Sequence, residues 1–167
     1  YLMTMAINTQ LITKDGLLKA ACCNLSESFE TNASVDVNFK DAVSGAKQIQ
    51  MLGLDGVYTQ ILSENIPLIR GLSSAYGINY VPGTWIEQIY ITKGTGSVVN
   101  GFESITGQIQ LEMLEPSSAD KLFVNLYGNN FGRMEANVHL GKKFRDRAST
   151  LLFLHGSQSQ LKFDHNG

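Results

Sequence analysis

The chain has 167 residues, 43% hydrophobic and 17% charged, with a formal net charge of −2. That length holds one ordinary domain, or one domain plus part of another, and so small a charge excludes nucleic acid as the main partner, which demands a basic surface. No stretch approaches the roughly 18 apolar residues of a membrane helix, so a helical membrane protein is excluded, whereas a membrane β-barrel is not, because its strands carry only a weak alternating signal.

Ile7 to Ile12 alternates apolar and polar residues and predicts a short strand. A helix follows. Leu18, Cys22, Leu25 and Phe29 recur at helical spacing on one face, Thr13 and Asp15 are start signals, and Asn32 is a C-cap. Cys22 and Cys23 are the only cysteines. Adjacent cysteines rarely bridge, so the chain is no disulfide scaffold, and Cys22 reads as a small buried hydrophobe. The acceptor-like triplets beginning at Asn24 and Asn32 lie on or beside this helix and read as chance matches.

Val35, Val37 and Phe39 alternate with Asp36, Asn38 and Lys40, a strand with one wet face. Residues 40–47 are polar and turn-like. Ile49 and Met51 alternate with Gln48 and Gln50, Asp55-Gly56 predicts a turn, and Val57 to Leu62 another strand. Ser63-Glu64-Asn65 then leads into Ile66-Pro67-Leu68. Asn65 tolerates a left-handed backbone, so a tight hairpin is expected here. Residues 70–84, rich in Gly, Ser and Tyr and without a period, read as a long loop; such loops are commonly functional. Ile86, Ile89 and Ile91 open the next ordered segment, 94–101 is bounded by Gly, and Ile105 to Leu111 alternates again. The first part is therefore a small α+β domain.

Pro116-Ser117-Ser118 reads as a boundary. Residues 1–115 hold six Lys/Arg and eleven Asp/Glu, net −5; residues 116–167 hold seven and four, net +3, and all three His. Beyond it, Leu122, Val124 and Leu126 alternate with Phe123, Asn125 and Tyr127. Met134, Ala136, Val138 and Leu140 alternate with Glu135, Asn137 and His139. Thr150, Leu152 and Leu154 form a third such series after the charged turn Lys143 to Arg147. This pattern fits a soluble meander and the lipid-facing strands of a membrane barrel equally. Tyr1 opens no basic leader, and the chain reads as a segment of something longer.

Other chemistry is missing. Gly94 and Gly96 lack the third glycine of a dinucleotide loop, since position 99 is Val. No zinc spacing, P-loop or nucleophile–base set is present, so no catalytic residue, metal site or cofactor is assigned, and the chain is not read as an enzyme. His139 and His155 read as polar wall residues. Asp164 and Asn166 match only the opening of a calcium loop and read as a polar loop tip.

Two segments taken together resemble a known pattern. Residues 61–68 (ILSENIPL) resemble the "VLIDGVPL" hairpin of the plug domain of TonB-dependent outer-membrane receptors. Residues 86–112 resemble the "VERIEVLRGPASALYGSGAIGGVINI" end of that plug, with Glu87, Ile89, Lys93, Gly94, Ser97, Gly101, Ile105, Gly107 and Ile109 in place. The helix and Ser34 to Val37 are similar to the "LAEALRSVPGVSV" region, and residues 20–32 resemble a Bacteroides-type subgroup. There are departures: Gln50-Met51 stands for Arg-Gly, Glu64-Asn65 for Asp-Gly, Asn100 for an aromatic, and Phe102-Glu103 for two small residues. Arg70-Gly71 follows the hairpin, where it is not the usual Arg-Gly.

The resemblance implies an α+β plug domain, a small mixed sheet with short helices, over residues 1–115, followed over 116–167 by the first three or so antiparallel strands of a truncated transmembrane β-barrel. It implies a Gram-negative outer-membrane location, with the plug inside the barrel lumen. The whole receptor would import a scarce small ligand such as an iron chelate, haem or cobalamin. Its partners would be TonB, through a segment not recognisable in this chain, the ligand, and outer-membrane lipid. The outward plug loops map to residues 38–48 and 69–84, so Phe39, Lys40, Arg70, Tyr76 and Tyr80 are the ligand-facing candidates, with Trp85 beside them. Glu87, Lys93, Gly94, Gly101 and Gly107 are the plug-motif and plug–barrel contact residues. The alternative is a soluble periplasmic binding or adaptor module derived from a plug.

Overall fold

The computed structural model describes residues 9–14, 16–17, 25–29, 32, 35–39, 47–75, 77–96, 101–130, 132–144 and 148–159. The chain divides into two compact units, Tyr1–Met113 and Leu114–Gly167.

Two sheets make up the first unit. β1 (Thr9–Thr13), β5 (Thr59–Ser63), β6 (Ile66–Ile69), β7 (Ile86–Lys93) and β8 (Gly107–Met113) form a five-stranded sheet in the order β1-β7-β8-β5-β6. β5 and β8 run parallel; the other neighbours are antiparallel. β2 (Val35–Phe39), β3 (Lys47–Met51) and the two-residue β4 (Leu54–Asp55) form a second, antiparallel sheet. Both sheets contribute to one core: Val35, Ile49 and Met51 cluster with Ile61, Ile89, Ile91, Ile109 and Leu111, capped by Leu17, Leu25, Phe29 and Ile78. Each such side chain contributes about 1.5–3 kcal/mol when fully buried.

Local chemistry sets the details. Ile86, Ile89 and Ile91 are all buried, although a strict two-residue period would put Ile86 on the opposite face from Ile89. The register shift between Ile86 and Gln88 resolves this. Ile86 pairs with Met113 and Gln88 with Glu112, so Glu87 is the extra residue of a β-bulge. Pro67 lies on β6, at the sheet edge, where a missing amide donor is tolerated. The β5–β6 hairpin turns through Glu64 and Asn65, both left-handed (φ 50° and 64°), as the tight-hairpin expectation requires. Glu64 is held there because its carboxylate Oε1 accepts the Met113 amide at 3.2 Å.

Four expectations need correction. The helix does not run unbroken to Phe29. Lys14, Gly16 and Leu17 are helical, but Leu25-Ser26 is a turn and Glu27–Phe29 a 3₁₀ segment. The Leu25 amide donates to the Val81 carbonyl at 2.8 Å instead of back along a helix. The strand placed over Val57 to Leu62 begins only at Thr59, after a 3₁₀ turn over Gly56–Tyr58. Ile105 lies outside β8 and is exposed. The loop over 70–84 contains three 3₁₀ segments, Gly71–Ala75, Gly77–Tyr80 and Gly83–Trp85, pinned by buried Ile78. Cys22, Cys23, Asn24, Asp164 and Asn166 lie outside the described residues.

The second unit is an antiparallel meander. β9 (Leu122–Gly128) and β11 (Ala148–Ser159) flank β10 (Arg133–Phe144). Leu122, Val124, Leu126, Met134, Leu140, Leu152 and Leu154 are all exposed, while Glu135, Asn137 and His139 on the opposite face of β10 are buried. His139 stacks on Phe123 (centroids 4.8 Å apart, 10° between planes) and meets Phe153 edge-on at 6.1 Å. His155 and Asn137 share a hydrogen bond of 2.8 Å, Nδ1 to Oδ1. Among the described residues no helix is long and apolar enough to cross a membrane, a statement that does not extend to strands.

Candidate functional site

At one end of the five-stranded sheet the starts of β5 and β8 lie side by side, because the two strands run parallel with Thr59 opposite Gly107 and Gln60 opposite Gln108. Polar residues at these starts build a compact knot. Gln108 Nε2 donates to Gln60 Oε1 at 2.7 Å. The Thr59 and Thr106 hydroxyls share a buried hydrogen bond of 2.8 Å. The Tyr58 carbonyl accepts from the Ile105 amide (3.0 Å), the Thr106 amide (3.1 Å) and the Thr106 hydroxyl (3.0 Å). The Gly96 amide donates to Ser104 Oγ at 3.0 Å, and Ser104 Oγ donates to the Gly107 carbonyl at 3.1 Å. Buried polar groups satisfied in this way fix one geometry.

Arg70, directly after β6, reaches this knot. Its Nη2 lies 2.6 Å from Glu103 Oε1, and its Nε donates to the same oxygen at 2.8 Å. The guanidinium holds the Glu103 carboxyl below the usual carboxylate range, against the opposing pull of desolvation. Gly101 closes the arrangement from the other side. Its φ of +132° suits glycine alone, and a Cβ there would meet Glu103 Oε2 at 2.5 Å and Gln60 Nε2 at 2.7 Å.

The ligand-facing candidates fall as follows. Arg70 is exposed and ion-paired, and Tyr80 is 78% exposed at the end of its 3₁₀ segment. Phe39 ends β2; its side chain, and all of Lys40 and Tyr76, lie outside the described residues. Of the plug-motif candidates, Glu87 is the bulge residue and Lys93 pairs with Gly107. Gly94 (φ +97°) donates its amide to the Thr106 carbonyl at 2.8 Å. Gly107 has no room for a side chain, because a Cβ would overlap Met51 Sδ and the Thr92 carbonyl. The structure thus gathers Gly94, Gly101, Gly107 and Arg70 at one end of the sheet and leaves Glu87 at the other.

Sequence reasoning missed Glu103, Gln60, Gln108, Thr59, Ser104 and Thr106. A signal existed: β5 and β8 both open on a small residue followed by Gln and Ile (TQI and GQI). Among the described residues no group of three or more His, Cys, Asp or Glu side chains is placed to hold a metal ion.

A family model described as "TonB-dependent Receptor Plug Domain" matches residues 2–108. No curated protein sequence matches the chain. Solved structures do. The copper transporter OprC is 15% identical, with a TM-score of 0.71 over 94% of this chain and 25% of its own. The ferric-catecholate import receptor Fiu from E. coli K12 is 16% identical, with a TM-score of 0.70 over 91% and 21%. The siderophore receptor PirA from Pseudomonas aeruginosa is 20% identical, with a TM-score of 0.63 over 94% and 30%. At such identities the likeness is one of fold. The chain spans less than a third of the length of each of these structures.

Proposed function

This chain belongs to the TonB-dependent receptor plug family, and on that premise we propose that it is the plug and first barrel strands of a Gram-negative outer-membrane receptor that imports a scarce small ligand. The observation that carries the membrane part is the second unit's inverted pattern. Its apolar stripe is exposed, with Leu126 at 75% and Met134 at 65%, while Asn137 on the other face is at 1%. A soluble sheet hides its apolar face; a membrane barrel turns that face to lipid and keeps polar residues inside. The same pattern speaks against the soluble adaptor reading.

On this reading no bond in the ligand is made or broken. The ligand is an iron chelate, haem, cobalamin or similar species; the functions for which the relatives are named, siderophore and ferric-catecholate uptake and copper transport, support a metal-bearing cargo. Arg70, Tyr80, Phe39, Lys40 and Tyr76 are its proposed contacts on the plug, and Glu87, Lys93, Gly94, Gly101 and Gly107 its framework residues. TonB supplies the energy. A Bacteroides-type placement is supported only by residues 20–32, of which 25–29 and 32 are described.

Uptake by the intact source cells tests this. Deleting the gene should abolish accumulation of one member of a panel of labelled ferric chelates, haem, cobalamin and copper, and a protonophore should abolish it equally in wild-type cells. Uptake of every panel member unchanged by the deletion would overturn the import reading.

A further inference from the structure

The Arg70–Glu103 pair links two segments 33 residues apart, and its geometry is one-sided. Two of the three guanidinium nitrogens, Nε and Nη2, grip a single carboxylate oxygen, Oε1. The second oxygen, Oε2, is buried without a hydrogen-bond partner. A guanidinium fork matches both oxygens of a carboxylate, so a second oxyanion offered to Arg70 has a better geometry available than Glu103 uses. A buried acceptor without a donor also weakens the closed arrangement. Access is one-sided too: the Arg70 side chain is 47% exposed and that of Glu103 17%. An arriving anion meets the cation first. Glu103, moreover, stands where the sequence departs from the pattern it otherwise resembles.

We propose that Arg70 and Glu103 form an exchangeable latch, in which a carboxylate or similar oxyanion on the imported ligand takes the Arg70 guanidinium, displaces Glu103, and releases residues 101–106 from the starts of β5 and β8. The inference rests on the reading that the 69–84 segment faces the ligand. The coupling runs along the segment. Glu103 is followed directly by Ser104, whose hydroxyl accepts the Gly96 amide and donates to the Gly107 carbonyl, and then by Ile105 and Thr106, whose amides both donate to the Tyr58 carbonyl just before β5. The loss of the ion pair at Arg70 is thereby felt at the parallel strand pair.

The test is amide hydrogen exchange at Gly96, Ile105 and Thr106 in the purified full-length receptor. Glu103→Gln, which keeps the native shape, and Arg70→Gln, which removes the guanidinium but stays polar, should each speed exchange about two- to fivefold without ligand, the range a partly exposed ion pair supports. The charge-swapped Arg70→Glu/Glu103→Arg receptor should recover at least part of the protection. Citrate, used as the carboxylate probe, should speed exchange in the native protein and add nothing in Arg70→Gln. Unchanged exchange in both single variants, or a citrate effect that survives in Arg70→Gln, would overturn the latch. Uptake separates the two ideas. If Arg70→Gln and Tyr80→Ala leave uptake intact while exchange behaves as expected, the ligand-facing reading fails. If uptake falls but exchange never responds, the latch fails and that reading stands.

Discussion

Gln108 on β8 donates its side-chain amide to Gln60 on β5 at 2.7 Å, across the sheet's parallel strand pair, with Gln60 only 1% exposed. Two amides so placed are matched to each other. Replacing one leaves the other's polar atoms buried, which costs about 1–3 kcal/mol, whereas replacing both with apolar groups of similar shape is nearly neutral. Gln108→Leu should therefore lower the stability of the purified receptor in denaturant more than Gln60→Leu/Gln108→Leu does. A double variant weaker than both single ones would show that the pair acts through other partners.

The glycines make a second, ordered prediction. At Gly53 (φ +77°) an added Cβ would meet nothing within 4 Å, whereas at Gly107 it would meet Met51 Sδ and the Thr92 carbonyl. Gly53→Ala carries only the strain of its left-handed backbone, about 1–2 kcal/mol. Gly107→Ala must part β8 from β7 or displace Met51, and overpacking of this kind costs typically about 1–3 kcal/mol or more. Thermal unfolding should rank Gly107→Ala as the more damaging, with added exchange at the Lys93–Gly107 end of the β7–β8 pair.

Acid should loosen the knot in a defined direction. The Glu103 carboxyl titrates below its unfolded value because Arg70 donates to it. The contribution of the pair is therefore complete above the ordinary Glu pKa of about 4.3, and it is lost as the pH falls through the lowered folded value. Exchange at Ile105, corrected for its intrinsic pH dependence, should be flat near neutrality and rise only below that carboxylate range. Glu103→Gln should remove the rise.

Much of this architecture was legible because it follows from simple periods. β2, β9, β10 and β11 alternate cleanly, and Glu64-Asn65 marks a two-residue turn. What stayed hidden depends on contacts distant in sequence. The bulge at Glu87 shows only once β8 is in place to set the register. The turn at Leu25-Ser26 goes with the Leu25 amide bonding the Val81 carbonyl, 56 positions along the numbering. Glu103 was visible only as a departure from a family pattern, and Arg70 only as a cation in a loop expected to face the ligand. Their pairing needed β5, β6 and the segment before β8 to be folded together. Arg70 was thus legible as a site residue, but the carboxylate that occupies it was not.

The strands of the second unit give the sharpest contrast between water and lipid as surroundings. Leu154 pairs with Val138, which pairs with Val124, and Leu154 and Val124 are both more than half exposed. On the surface of a water-soluble protein, Leu154→Lys would be close to neutral. Facing lipid near the midplane, it costs about 2–4 kcal/mol. Receptor assembled in the outer membrane should fall sharply for Leu154→Lys and little for Ser157→Lys, measured by immunoblot.

If this chain is the front of an outer-membrane receptor, the size and location of the native polypeptide will show it. Separated membranes of the source cells would be probed with an antibody raised against residues 1–113. A band several times larger than 18.3 kDa, confined to the outer membrane and released only by detergent, is expected. A band near 18.3 kDa in the soluble fraction would contradict it.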